Sequence, residues 1–172
     1  MNDFYEAFAY VNKLVYEPNQ FTVKAIQEEV HNKKYGAGTF HLMSKTVRFR
    51  VAHQTPTKIG QFVSLWEKDT DGKNRPYSYE ASPDLIVITT FRNERQFGQF
   101  IFPKEVLFKR GILHSPSTKG KMAMRVYPSW DEPNNKQAIS TQKWQLSYFI
   151  DMSNPSHLSF NKLMQLYENP LS

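Results

Sequence analysis

Metal-dependent cleavage of a phosphodiester needs at least two carboxylates converging on a hard cation, usually with a lysine to position water or stabilise charge. Asp84 is the natural first ligand, because Ser82-Pro83-Asp84 opens the apolar string LIVITTF at 85–91. Glu80 and Glu105 are the carboxylates that would have to join it, and Lys58 or Lys104 the amine. The competing role for Asp84 is to cap the turn it stands in. The five histidines, His31, His41, His53, His114 and His157, are scattered without metal-ligand spacing. No serine stands in a nucleophile elbow, and no glycine string has the flanks of a nucleotide site. These residues give no metal set, no cofactor motif and only a thin case for an enzyme.

Phosphate binding has more behind it. Residues 106–130 carry five bases, Lys109, Arg110, Lys119, Lys121 and Arg125, and no acid, in a 172-residue chain of net charge +6. A local block of one sign points to an anionic partner more strongly than a uniform excess does. SPSTKGKMAMR (115–125) also offers hydroxyls and free backbone N–H groups, which contact phosphate without reading sequence. Arg48 and Arg50 share one strand face, and Lys58 follows in a turn, so all three are possible additions. Tyr35, Trp66, Tyr127 and Trp130 stand near these bases and suit stacking on unpaired nucleobases. The plainer reading makes the tryptophans core anchors and the strand cations a solvent face.

Two glutamines call for an explanation. GQF occurs at 60–62 and again at 98–100, each time inside an apolar string. Alternation places Gln61 and Gln99 on otherwise apolar strand faces. If buried, each amide must be hydrogen-bonded, with Gly60 and Gly98 allowing a bulge or a close approach.

The elements that must position these groups follow from periodicity. Phe4, Ala7, Phe8, Val11, Leu14 and Val15 recur at helical spacing, and Pro18 ends that helix. Residues 22–31 read as a second, shorter helix. Strands are expected at 39–43, 45–52, 59–67, 85–91, 96–102 and 122–128, with the apolar string 85–91 central. Pro103 starts a helix over 103–110. A long helix is expected at 134–150, with Ile139, Leu146, Phe149 and Ile150 on its inner side and Trp144 and Tyr148 off it. A last helix carries Phe160, Leu163, Met164 and Tyr167. The expectation is one α+β domain over 1–172: a central mixed sheet of about five to six strands with helices at both ends.

The chain also resembles a known family. YGAGTFHL (35–42), TVRFRVAHQTPTKIGQFVSLWEKD (46–69), FGQFIFPKEVL (97–107), MAMRVYPSWD (122–131) and TQKWQL (141–146) are similar to the bacterial MepB-like proteins. One member is encoded beside a multidrug efflux pump and its repressor, which implies a cytoplasmic accessory protein but brings no catalytic residues. A weaker likeness, of element order and one dipeptide, is to the restriction-endonuclease-like core. There a Pro-Asp opens one strand and an acid-x-lysine motif lies on the next. On that likeness Gln99 takes the second acid's place and Ile101 the lysine's, leaving Asp84, Gln99 and Lys58 as a pseudo-site without its metal.

The sequence therefore predicts a non-enzymatic DNA- or RNA-binding protein with no cofactor. Its surface is centred on residues 109–125, with Arg48, Arg50 and Lys58 as additions. The alternatives are a metal-dependent nuclease built on Asp84 and an efflux-linked interaction protein, with Trp144 and Tyr148 as its homodimer or partner contact. No apolar run approaches a membrane span, MNDFYEAFAY has no basic leader, and the absence of cysteine fits a reducing cytoplasm.

Overall fold

The structure, a computed structural model, describes residues 1–168. Its centre is a six-stranded sheet in the order β1 (Val23–Glu28), β2 (Gly38–Leu42), β3 (Lys45–Val51), β8 (Leu85–Phe91), β9 (Phe97–Pro103) and β11 (Phe149–Asp151). The β3–β8 pairing is parallel and the others are antiparallel, so the sheet is mixed, and the fold is α+β. Asp84 stands at the start of that parallel pair. Its carboxylate accepts from the Thr46 N–H at 2.8 Å and from Thr46 Oγ1 at 3.0 Å. Thr46 Oγ1 in turn accepts from the Asp84 N–H. This reciprocal clamp sets the β3–β8 register.

Helices α1 (Phe4–Val11) and α4 (Phe160–Tyr167) cover one face of the sheet. Asp3 caps α1 and Ser159 caps α4, each side chain accepting from an N–H three residues on. Phe4, Phe8, Leu163 and Tyr167 meet Val47, Phe49, Val87 and Ile101 across this interface. The opposite face is covered by a small sheet in the order β10 (Ala123–Val126), β5 (Gln61–Ser64) and β4 (His53–Gln54). Helices α2 (Lys104–Lys109) and α3 (Lys136–Gln145) flank that small sheet, and the hairpin of β6 (Trp66–Lys68) and β7 (Asn74–Pro76) adjoins it.

Three expectations are corrected. Residues 22–31 are not a helix: β1 runs through them as an edge strand with both faces largely exposed. Its register shifts between Lys24 and Gln27, around Ala25 at φ +55°, so no period of two was left to read. The helix expected over 134–150 stops at Gln145, and its last residues become β11. Its inner side is also different. Ile139 and Leu146 are exposed, whereas Trp144 and Tyr148 pack on Phe102.

Gln99 lies fully buried under α4, in a four-member polar network. Its Nε2 donates to Thr89 Oγ1 at 3.0 Å and to the Tyr16 hydroxyl at 3.4 Å, while Tyr167 donates to its Oε1. The two tyrosine hydroxyls meet at 2.7 Å. Burial pushes the Tyr16 hydroxyl up to about 12 and Tyr167 well above the ordinary range. Gly98 has the close approach expected of it: a Cβ there would lie 2.6 Å from the Phe149 ring and 2.7 Å from the Ile150 carbonyl.

Tyr167→Phe removes the donor to Gln99 and leaves a buried amide oxygen unpaired, so it should destabilise the fold by about 1–3 kcal/mol in urea titration. Both tyrosines must stay protonated in the fold. Their stabilisation is complete below about pH 10, the unfolded tyrosine value, and falls as pH climbs from there toward the raised folded values. Melting temperatures at about pH 9 and pH 11 check the sign, and a higher value at the alkaline end would contradict it.

Candidate nucleic-acid interface

The turn at 55–60 folds over the small sheet and is held there by Arg125. The Arg125 guanidinium donates to Thr55 Oγ1 at 3.0 Å and to the Gly60 carbonyl at 3.2 Å. Gly60 takes φ +88°, and a Cβ on it would stand 2.7 Å from the Tyr127 ring. Glycine is therefore required on two counts. The next residue, Gln61, is buried and donates to the Phe91 carbonyl at 3.2 Å, tying the small sheet to β8.

On the other side, α3 closes the open edge of β10. Gln145, fully buried, accepts from the Tyr127 N–H and donates to the Arg125 carbonyl, both at 2.9 Å. A side-chain amide thus takes the place of the next strand and satisfies backbone groups that an edge would leave open. Gln142 adds bonds to the Pro128 and Asp131 carbonyls at 3.0 and 2.8 Å. Asn135 caps α3 by accepting from the Ala138 N–H.

Between the turn and α3 lies an open cleft of about 700 Å³. Lys58, Arg110, Lys121 and Arg125 line it, and its lining contains no carboxylate. Phe62, Tyr127 and Trp144 supply aromatic surface, and the Arg110 guanidinium stands 4.8 Å over the Trp144 ring. The residues at the N-terminus of α3 also form part of the wall, so the positive end of the helix dipole adds to the field. Arg125 is committed to the turn. Lys58, Arg110 and Lys121 are exposed and form no ion pair among the described residues.

The MepB-like family model matches residues 29–151.

The chain belongs to the MepB-like family.

A crystal structure of MepB is similar to it, with 46% identity and a TM-score of 0.73, covering 75% of this chain and 86% of that one. No curated protein matches the chain. Every residue that lines the cleft lies within the stretch matched to the MepB-like model, whereas α1 and α4 lie outside it.

Of the eight residues the sequence assigned to nucleic acid, four meet in this cleft: Lys58, Arg110, Lys121 and Arg125. Lys109 and Lys119 are exposed in the same segment but outside the cleft lining. Arg48 and Arg50 are elsewhere, and their assignment is corrected. Arg50 has no exposed surface; it donates to Glu29 at 2.7 Å, to the Tyr77 hydroxyl at 2.7 Å and to the carbonyls of Ser64 and Phe49. Arg48 donates to the same Glu29 carboxylate and stacks on the Tyr77 ring, 3.7 Å from its centroid. Arg50 therefore has no surface left for phosphate, and Arg48, largely enclosed, already has its charge paired with Glu29.

The pseudo-site also comes apart. Gln99 pairs with Thr89, five residues along β8 from Asp84, which is about 17 Å at the usual strand rise. Asp84 is exposed at the sheet end and engaged with Thr46, while Gln99 is sealed beneath α4. Lys104 donates to the Tyr79 and Ser82 carbonyls, and Glu105 accepts from the Tyr79 hydroxyl. Among the described residues no group of three or more His, Asp or Glu side chains is placed to hold a metal ion, and no helix is long and apolar enough to cross a membrane.

Of the aromatics expected near the bases, Tyr127 lines the cleft. Trp66 stacks on His31, Trp130 packs on Phe149 and Tyr35 lies against His53. Phe62, which the sequence did not single out, and Trp144, which it assigned to a partner contact, line it as well. The β5–β10 register sets Phe62 opposite Arg125, and Gln145 docks α3 and with it Trp144. No local pattern reports either placement.

Proposed function

We propose that the protein binds nucleic acid without cleaving it, through the basic cleft between the 55–60 turn and α3. The observation that carries this reading is a ligand-sized concavity lined by four cations and no carboxylate. Its volume falls within the roughly 300–1,000 Å³ of ligand clefts. Cations in a low-dielectric concavity focus the field on a polyanion, and each neutralised phosphate releases counterions. The aromatic wall gives unpaired bases a surface to lie on.

Gel-shift titration against single-stranded and duplex DNA and RNA at low salt tests the proposal, with a parallel incubation in Mg²⁺ or Mn²⁺. Retarded, intact nucleic acid is the expected outcome. Absence of any shift removes the binding proposal, and degradation in the metal-containing lane removes its non-enzymatic part.

A further inference from the structure

We propose that the cleft takes unpaired rather than duplex nucleic acid, with a base seated on the Arg110–Trp144 pair. This rests on the nucleic-acid reading of the same cleft. The first argument is shape. Proteins that read a duplex push a helix or a β-ribbon into a groove about 12 Å wide. Here the cations line a hollow between the 55–60 turn and α3. A duplex is stiff over roughly 50 nm and presents a convex surface, so its phosphates do not follow the walls inward. A single strand bends into such a hollow and exposes its bases there.

The second argument is the chemistry of the wall. Trp144 packs against Phe102 in a tilted pair, with ring centroids 5.5 Å apart, and lines the cleft beside Arg110. An arginine plane over an indole is a flat, cationic platform, and bases stack on both surfaces. Phe62 and Tyr127 supply further apolar surface in the same hollow. Duplex DNA keeps its bases stacked on one another and has no use for this wall.

Fluorescence anisotropy with a labelled oligonucleotide, alone and annealed to its complement, tests the inference at one low salt concentration. The single strand should bind about tenfold or more tighter than the duplex. Trp144→Leu should lower single-strand affinity about fivefold or more, and Trp144→Phe should hold it within about twofold. Equal or tighter duplex binding overturns the inference while leaving nucleic-acid binding standing. No binding of either form overturns both. Unchanged affinity in a folded Trp144→Leu protein overturns the platform. Should that variant not fold, quenching of wild-type tryptophan emission by the single strand decides instead, and an unchanged emission counts against the platform.

Discussion

Glu29→Ala is expected to destabilise the domain by about 3–5 kcal/mol, the cost of leaving a buried ion without its partner. Glu29 is the only carboxylate paired with Arg50 among the described residues, and Arg50 has no exposed surface. Arg48 shares the same carboxylate, so its loss would leave two neighbouring guanidinium groups facing each other without a counter-charge. Their field also acts on Tyr77: burial raises its hydroxyl pKa, and the two arginines oppose that rise. Urea denaturation of wild type, Glu29→Ala and Arg48→Met measures the difference. Arg48→Met leaves the Glu29–Arg50 pair intact and should cost less than Glu29→Ala. A loss below about 1 kcal/mol for Glu29→Ala would mean that water or another group replaces the carboxylate. Native-state affinity for nucleic acid should not change in Arg48→Met, because that cation is turned to Glu29 and Tyr77 rather than to the cleft.

The second large effect concerns the cleft. Lys58→Glu, Arg110→Glu and Lys121→Glu together should reduce binding at low salt by about a hundredfold or more. Each reversal removes one released counterion and adds a repelling charge. All three side chains are exposed and free of ion pairs among the described residues, so the melting temperature should hardly move. Arg125→Ala behaves differently. It frees the 55–60 turn and costs stability as well as affinity, because its guanidinium holds Thr55 and Gly60. A folded triple variant with wild-type affinity would move the site away from the cleft.

Much of this architecture was legible in the sequence, for physical reasons particular to each element. The strand 85–91 was readable because it is buried on both faces and so is continuously apolar. The basic block at 106–130 was readable because an absence of acids needs no structure to notice. The β1 strand was not, since an exposed edge with a bulge carries no apolar alternation. Arg50 misled for a related reason. Alternation places it correctly opposite Phe49 and Val51, but periodicity cannot say that a second layer, with Glu29 and Tyr77, closes over that face. Gln99 was readable as a buried, hydrogen-bonded amide beside a close-approach glycine, but not as a member of a pseudo-site. Its amide joins a polar network that ties α4 and Tyr16, at the end of the helical segment Asn12–Tyr16 that continues α1, to the sheet, and it never approaches Asp84. Trp144 was assigned to a partner-facing side because Phe149 and Ile150 were counted on the helix's inner side; those two belong to β11, and Trp144 packs on Phe102 at the cleft wall.

The measurement that tests the central claim most directly is the salt dependence of equilibrium binding to a single-stranded oligonucleotide. Three to four cleft cations on phosphates predict a slope of about −2 to −3 in log affinity against log salt, or roughly a 20- to 50-fold loss between about 50 and 200 mM. The Lys58→Glu, Arg110→Glu, Lys121→Glu protein, which keeps at most Arg125, should show a slope of about 0 to −0.7. A wild-type affinity that does not change with salt, or no binding at the lowest salt, would contradict the account.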